Sequence, residues 1–205
     1  GVPNQTIESL NESIDFLISS DIKHISAYML KIEEGTPFYK MQSSLTLPDE
    51  DTVCEMYLHT VKRLSENGFM QYEISNFAKE GFESRHNTKY WLLEDYLGLG
   101  PSAHSFLNGK RYYFKNDINA FIDGLPPIFD CDGGDKDEYI MLRLRLKEGL
   151  NLNELTRIYG EDATKNIKEK APLLKKQGFV NFENNIISLT EKGFLISNTI
   201  ISELI

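Results

Sequence analysis

Between residues 6 and 74 the chain passes twice from a helix-spaced apolar pattern to a short run rich in β-branched and aromatic side chains. Thr6 stands in an N-cap position ahead of Ile7, Leu10, Ile14, Leu17 and Ile18, which share one helical face, so residues 6–20 are expected to be helical. Residues 22–30 follow after one turn signal and read as a buried strand. A loop through Gly35, Thr36 and Pro37 comes next. Pro48 and Asp49 then open a second helix, with Val53, Met56, Tyr57, Val61 and Leu64 in phase and Gly68 at its end, and residues 69–74 read as another strand. Helix, strand, helix, strand in succession is the pattern of parallel βα units, because a parallel pair needs a crossover long enough to hold a helix.

Beyond residue 80 the pattern is less regular. Helical turns are expected around 86–92, then a strand from Tyr96 toward Phe106. Asn108-Gly109 is a two-residue hairpin turn leading to a strand at 111–114, and residues 117–123 suit a short helix. Residues 125–137 carry Pro126-Pro127 and Gly133-Gly134 among acids and read as a linker. Helical segments at 138–147, 151–159 and 162–177 follow, then a hairpin of 179–182 and 186–189 around Asn184-Asn185 and a helix from Thr190. The expected architecture is therefore an α/β region over 1–124, a linker over 125–137, and a small helical, winged-helix-like domain over 138–205.

Charge and cysteine usage narrow the function classes. The formal net charge is -9, which opposes broad affinity for nucleic acid or anionic membranes, since phosphate binding needs clustered Lys and Arg. Cys54 and Cys131 have no metal or redox spacing and read as free thiols in a reducing cytoplasm. No apolar run approaches the roughly 18 residues of a membrane span, and the start has no signal-peptide character. The expectation is a soluble cytoplasmic protein.

Ligands in parallel α/β sheets gather at the carboxyl ends of strands, here 30–34, 73–77 and the region after Leu99. Twelve of the 23 aromatic residues lie between Phe69 and Phe121, which suits either a wall for a flat apolar ligand or simply more core. His86 and Tyr90 are one helical turn apart, so their side chains share a face. Imidazole and phenolate are both iron ligands, and Asn87 can orient the ring or cap the turn; a buried histidine in an aromatic core is the alternative. Gly98 and Gly100 permit close backbone approach, to a cofactor edge near His104 or within a tight bend. Glu73 beside Tyr72 suits a polar ligand group or an ion pair. His59 is placed on the solvated face of its helix and His24 as a cap of the preceding turn, while Gln5 lies in a loop before a helix N-terminus. Lys165, Lys168, Lys170, Lys175 and Lys176 raise a nucleic-acid-binding reading, set against a solvated face diluted by Glu161, Asp162 and Glu169.

The ordered motifs Gly1 to Thr6, His24 to Tyr28, Glu33 to Phe38, Leu47 to Glu50, Tyr72 to Ala78, His86 to Trp91 and Tyr96 to Ser105 resemble the HemW family of radical S-adenosylmethionine proteins, often labelled oxygen-independent coproporphyrinogen III oxidase-like. The resemblance implies a partial (β/α)6 barrel followed by a HemN-type winged-helix-like domain. It also implies a [4Fe-4S] cluster on a Cys-x3-Cys-x2-Cys loop and S-adenosylmethionine on the open iron. That loop does not occur in this sequence, which is expected to be the C-terminal portion of such a protein, inactive alone in radical chemistry and prone to self-association through an uncovered strand edge. Family members of this kind act as heme chaperones for respiratory proteins. By resemblance His86 is the heme-iron ligand, supported by Asn87 and Tyr90, whereas His104 and Lys31 match backbone contacts to S-adenosylmethionine. Coproporphyrinogen III oxidation and nucleic-acid binding by the terminal domain are the competing expectations.

Overall fold

The computed structural model describes residues 1–205, which form two compact units, residues 1–83 and 84–205. In the first, helix α1 (Ile7–Ser19) begins with a reciprocal cap in which Ser9 N donates to Thr6 Oγ1 at 3.2 Å and Thr6 N donates to Ser9 Oγ at 3.0 Å. Strand β1 (His24–Ser26) follows. A short helix α2 (Pro37–Met41) is capped by Thr36, and α3 (Glu50–Glu66) starts at Asp49, whose carboxylate accepts from Thr52 N at 2.8 Å. Strands β2 (Met70–Glu73) and β3 (Asn76–Ala78) complete the unit. Ile14, Ile25, Met56, Tyr57, Val61, Leu64, Phe69 and Phe77 make its buried core.

The sheet departs from the parallel pairing expected from the helix and strand alternation. Its order is β1-β3-β2, and both ladders are antiparallel. Strands β1 and β2 do run in the same direction, as a helical crossover requires, but β3 lies between them. Ile74-Ser75 turns the chain back, and Asn76, Phe77 and Ala78 are all buried, so a segment read as a strand-end loop is the central strand. Glu73 explains the turn. It is 1 % exposed, and its Oε1 accepts from Ser75 N at 2.7 Å and from Asn76 Nδ2, so this carboxylate holds the hairpin rather than a ligand or an Arg. The two histidines of this unit also differ from expectation. His59 is half-buried and joins α3 to α1 through Asn11 Oδ1 at 2.6 Å, and His24 pairs with the Tyr72 hydroxyl at 2.8 Å across the sheet.

The second unit opens with α4 (Arg85–Trp91), capped by Ser84. Strands β4 (His104–Leu107) and β5 (Lys110–Tyr113) form the expected hairpin, with Asn108 at φ 51° and Gly109 at φ 72°. After α5 (Ile118–Ile122), strand β6 (Ile128–Asp132) pairs antiparallel with β5. The stretch expected to be a linker thus supplies the third strand of a sheet, because its prolines precede the strand and its glycines follow it. Helices α6 (Lys136–Arg143), α7 (Leu152–Tyr159) and α8 (Lys165–Lys176) surround a second small sheet, order β7-β9-β8, built from Leu150–Asn151, Ile186–Leu189 and Val180–Glu183. Asn184 and Asn185, both at positive φ, turn the β8-β9 wing, and α9 (Glu191–Leu195) and α10 (Ser197–Leu204) close the chain. Ile140, Leu144, Leu150, Leu155, Ile167, Ile187, Leu189 and Phe194 pack its interior.

Candidate functional site

Four of the five residues singled out from sequence lie in the second unit. The seven residues of α4, about two turns, put His86 and Tyr90 on one side, and the Tyr90 hydroxyl and His86 Nε2 are 2.6 Å apart with their rings edge to face at 4.9 Å. His86 is exposed and Tyr90 half-buried, so the imidazole is open to solvent while the phenol anchors it. Asn87 follows on the same turn, its backbone N donating to the Ser84 cap at 3.3 Å.

Tyr90 also borders a cavity of about 400 Å³ lined by Trp91, Leu93, Tyr96, His104, Phe106, Arg111 and Leu142. Its volume falls in the ordinary range for a small-molecule site, and aromatic rings make up most of its wall. Tyr90 meets Tyr96 edge to face at 4.5 Å. His104, at the start of β4, stacks its exposed ring on Tyr113 at 5.7 Å. Arg111 donates to the Tyr96 hydroxyl at 3.2 Å, forms an ion pair with Glu138, and sits 4.9 Å above the Phe106 ring. Burial alone lowers the pKa of this guanidinium; the Glu138 carboxylate, with help from Tyr96, outweighs that effect and raises it, so Arg111 stays charged and neutralised in place.

Gly98 shows how the wall is held. A Cβ there would stand 2.1 Å from the His104 carbonyl oxygen, so the close approach inferred from Gly-Leu-Gly is to this chain's own backbone. Gly98 N also donates to Ser105 Oγ at 3.0 Å. Lys31 lies in the first unit, exposed and paired with Glu33 at 2.7 Å. That unit has an apolar cavity of its own, about 180 Å³ and bordered by Ile14, Tyr57 and Phe77, without a cluster of ionisable groups on its wall.

Sequence reasoning singled out Trp91 as a ring on which a flat ligand could rest but missed Arg145, its partner. Trp91 Nε1 is buried without a hydrogen-bond acceptor, and the Arg145 guanidinium lies 4.4 Å over the Trp91 ring with its own Nε equally unsatisfied. An orphaned buried donor costs about 1–3 kcal/mol, so two at one stack are a feature that needs a cause. No periodicity links positions 91 and 145; only folding brings them together. A cluster of the radical type does not fit this chain's residues: Cys54 and Cys131 are its two cysteines, and no group of three metal-ligating side chains assembles.

Comparison with known proteins adds to this geometry. Residues 137–196 match the HemN C-terminal domain family. The heme chaperone HemW of Bacillus subtilis is 32 % identical over 98 % of this chain and 55 % of its own length, and that of Lactococcus lactis 29 % identical over 97 % and 55 %. The mitochondrial radical S-adenosyl methionine domain-containing protein 1 of Mus musculus is 41 % identical over 51 % of this chain and 24 % of its own length. Among solved structures, the coproporphyrinogen III oxidase HemN of Escherichia coli, a radical SAM enzyme, covers the whole chain with a TM-score of 0.73 at 17 % identity, 52 % of its own chain being matched, which establishes the α/β fold. The chain spans about half the length of the curated relatives it matches. From end to end, its sequence is that of the C-terminal portion of the HemW family.

Proposed function

We propose that this chain is the heme-handling half of a radical-S-adenosylmethionine-type heme chaperone, with heme as its cargo and respiratory heme proteins as recipients. The observation that carries the reading is the open His86 imidazole, held through Nε2 by Tyr90 at the rim of an aromatic cavity. A neutral imidazole offers one lone pair to iron, and a partner on its other nitrogen fixes the ring and its tautomer. Tyr90 is that partner, Asn87 shapes the turn, and the neighbouring aromatic wall suits the face of a flat macrocycle. In the whole protein, we assign backbone contacts to S-adenosylmethionine at His104 and Lys31, with the cluster supplied outside these residues. The terminal domain gives nucleic acid little to hold: Lys165, Lys168 and Lys175 meet Asp162, Glu161 and Glu183, and Lys170 caps the α10 carbonyl of Glu203. No helix is long and apolar enough to cross a membrane.

Titration of hemin into the protein and into His86→Ala tests the reading. Loss of the Soret shift in the variant is the expected result; identical spectra and affinities would remove His86 as the ligand, and no hemin binding by the protein would remove the chaperone assignment.

A further inference from the structure

We propose that Arg145, stacked on Trp91, anchors a carboxylate of the porphyrin at the edge of the aromatic cavity, an inference that rests on the heme-handling reading above. The arginines of this unit differ in how their charge is met. Arg111 is neutralised by Glu138, Arg143, stacked on Tyr139, and Arg157 lie 3.7 and 3.8 Å from Glu154, and Arg85 has no ion pair but stands exposed in solvent. Arg145 forms a cation-π contact with Trp91 and neither an ion pair nor a side-chain hydrogen bond, although it is only half exposed. Its Nε and the Trp91 Nε1 are both buried donors lacking acceptors.

Both of those atoms are sealed from solvent, so an oxyanion would meet the half-exposed guanidinium through its terminal nitrogens, a planar donor fork held on the indole without an anion. Trp91 contributes to the wall that Tyr90, Tyr96, Phe106 and Leu142 share. A ligand that is apolar over its face and anionic at its rim answers both features, and a porphyrin bearing free carboxylates has that chemistry. Iron ligation and carboxylate capture then fall to different residues: His86 holds the metal, and Arg145 fixes which edge of the ring faces inward.

The separation of roles dictates the test. Metal-free protoporphyrin IX needs no imidazole ligand, and Trp91 is the one tryptophan of the chain, so quenching of its fluorescence follows binding directly. The free acid and its dimethyl ester are titrated into the intact protein and into Arg145→Met, which retains the aliphatic stem against Trp91. The intact protein is expected to prefer the acid by about tenfold, the scale of one charge-assisted hydrogen bond, and Arg145→Met to bind acid and ester alike. Should Arg145→Met fail to fold, Arg145→Gln supplies the same comparison. Equal affinity of the intact protein for acid and ester, or an undiminished preference in the variants, would overturn the anchor while leaving hemin ligation by His86 standing. Failure of both porphyrin and hemin to bind the intact protein would overturn the anchor together with the chaperone reading.

Discussion

Replacement of Gly98 by Ala tests whether the wall of the aromatic cavity is set by one backbone contact. The added methyl would lie 2.1 Å from the His104 carbonyl oxygen, 2.9 Å from its carbon and 3.0 Å from its nitrogen. Ordinary carbon contacts begin near 3.5 Å, so the two segments must part by more than about 1 Å. Neither can move freely. Tyr96 and Phe106 exchange backbone hydrogen bonds of 2.8 and 3.0 Å on one side of the contact, and β4 is laddered to β5 on the other. Separation would also break the bond from Gly98 N to Ser105 Oγ, a hydroxyl whose residue is 3 % exposed. Overpacking of about 1–3 kcal/mol plus about 1 kcal/mol for that bond gives about 2–4 kcal/mol. For a chain of this length the corresponding fall in melting temperature is about 4–16 °C. Trp91 fluorescence during heating reads the unit that contains the contact. A Gly98→Ala melting curve within about 1 °C of the parent would refute the reasoning.

Tyr90→Phe removes the hydroxyl that holds His86 Nε2 and is expected to weaken hemin binding by about tenfold while leaving the fold intact; equal or tighter binding would show that the phenol does not orient the ligand. Asp49 provides a pH test of the α3 cap. Hydrogen bonds from Thr52, side chain first and then backbone, hold its carboxyl below the usual value of 3.8. A depressed folded pKa means that the stabilisation is complete above that value and is lost as pH falls through the lower, folded one. Asp49→Asn keeps an acceptor but cannot titrate, so it should melt below the parent at neutral pH and converge with it in strong acid. A gap that widens on acidification would contradict this.

Several helix starts of this chain were readable because their causes are local. Thr6, Asp49, Asp117, Asn151 and Thr190 each cap a helix through a side-chain oxygen within three residues of the N–H they satisfy, whereas Asp135, which caps α6, lies in the stretch expected to be a linker, and that helix was expected only from 138. Two of the hairpin turns were legible for the same reason, since Asn108-Gly109 and Asn184-Asn185 carry the residues that adopt positive φ. Of the candidate site, the His86–Tyr90 pair could be anticipated from helical spacing alone.

What lies beyond local spacing came from tertiary structure. A three-residue strand such as β3 has no periodicity long enough to read, and its place between β1 and β2 depends on the turn that Glu73 stabilises from a buried position. Strand β6 sits among prolines and glycines that signal a linker, and becomes a strand only because β5 offers it an unpaired edge. The partner of Gly98 and the meeting of Trp91 with Arg145 likewise follow from packing between residues distant in the chain. The sequence by itself determined where several helices start, where the two asparagine-led hairpins turn and which turn carries the imidazole, all short-range matters of backbone hydrogen bonding and φ. Tertiary structure decided strand order, the shape of the aromatic cavity and which arginine lies on the indole without an anion, because those depend on which distant groups satisfy one another once buried.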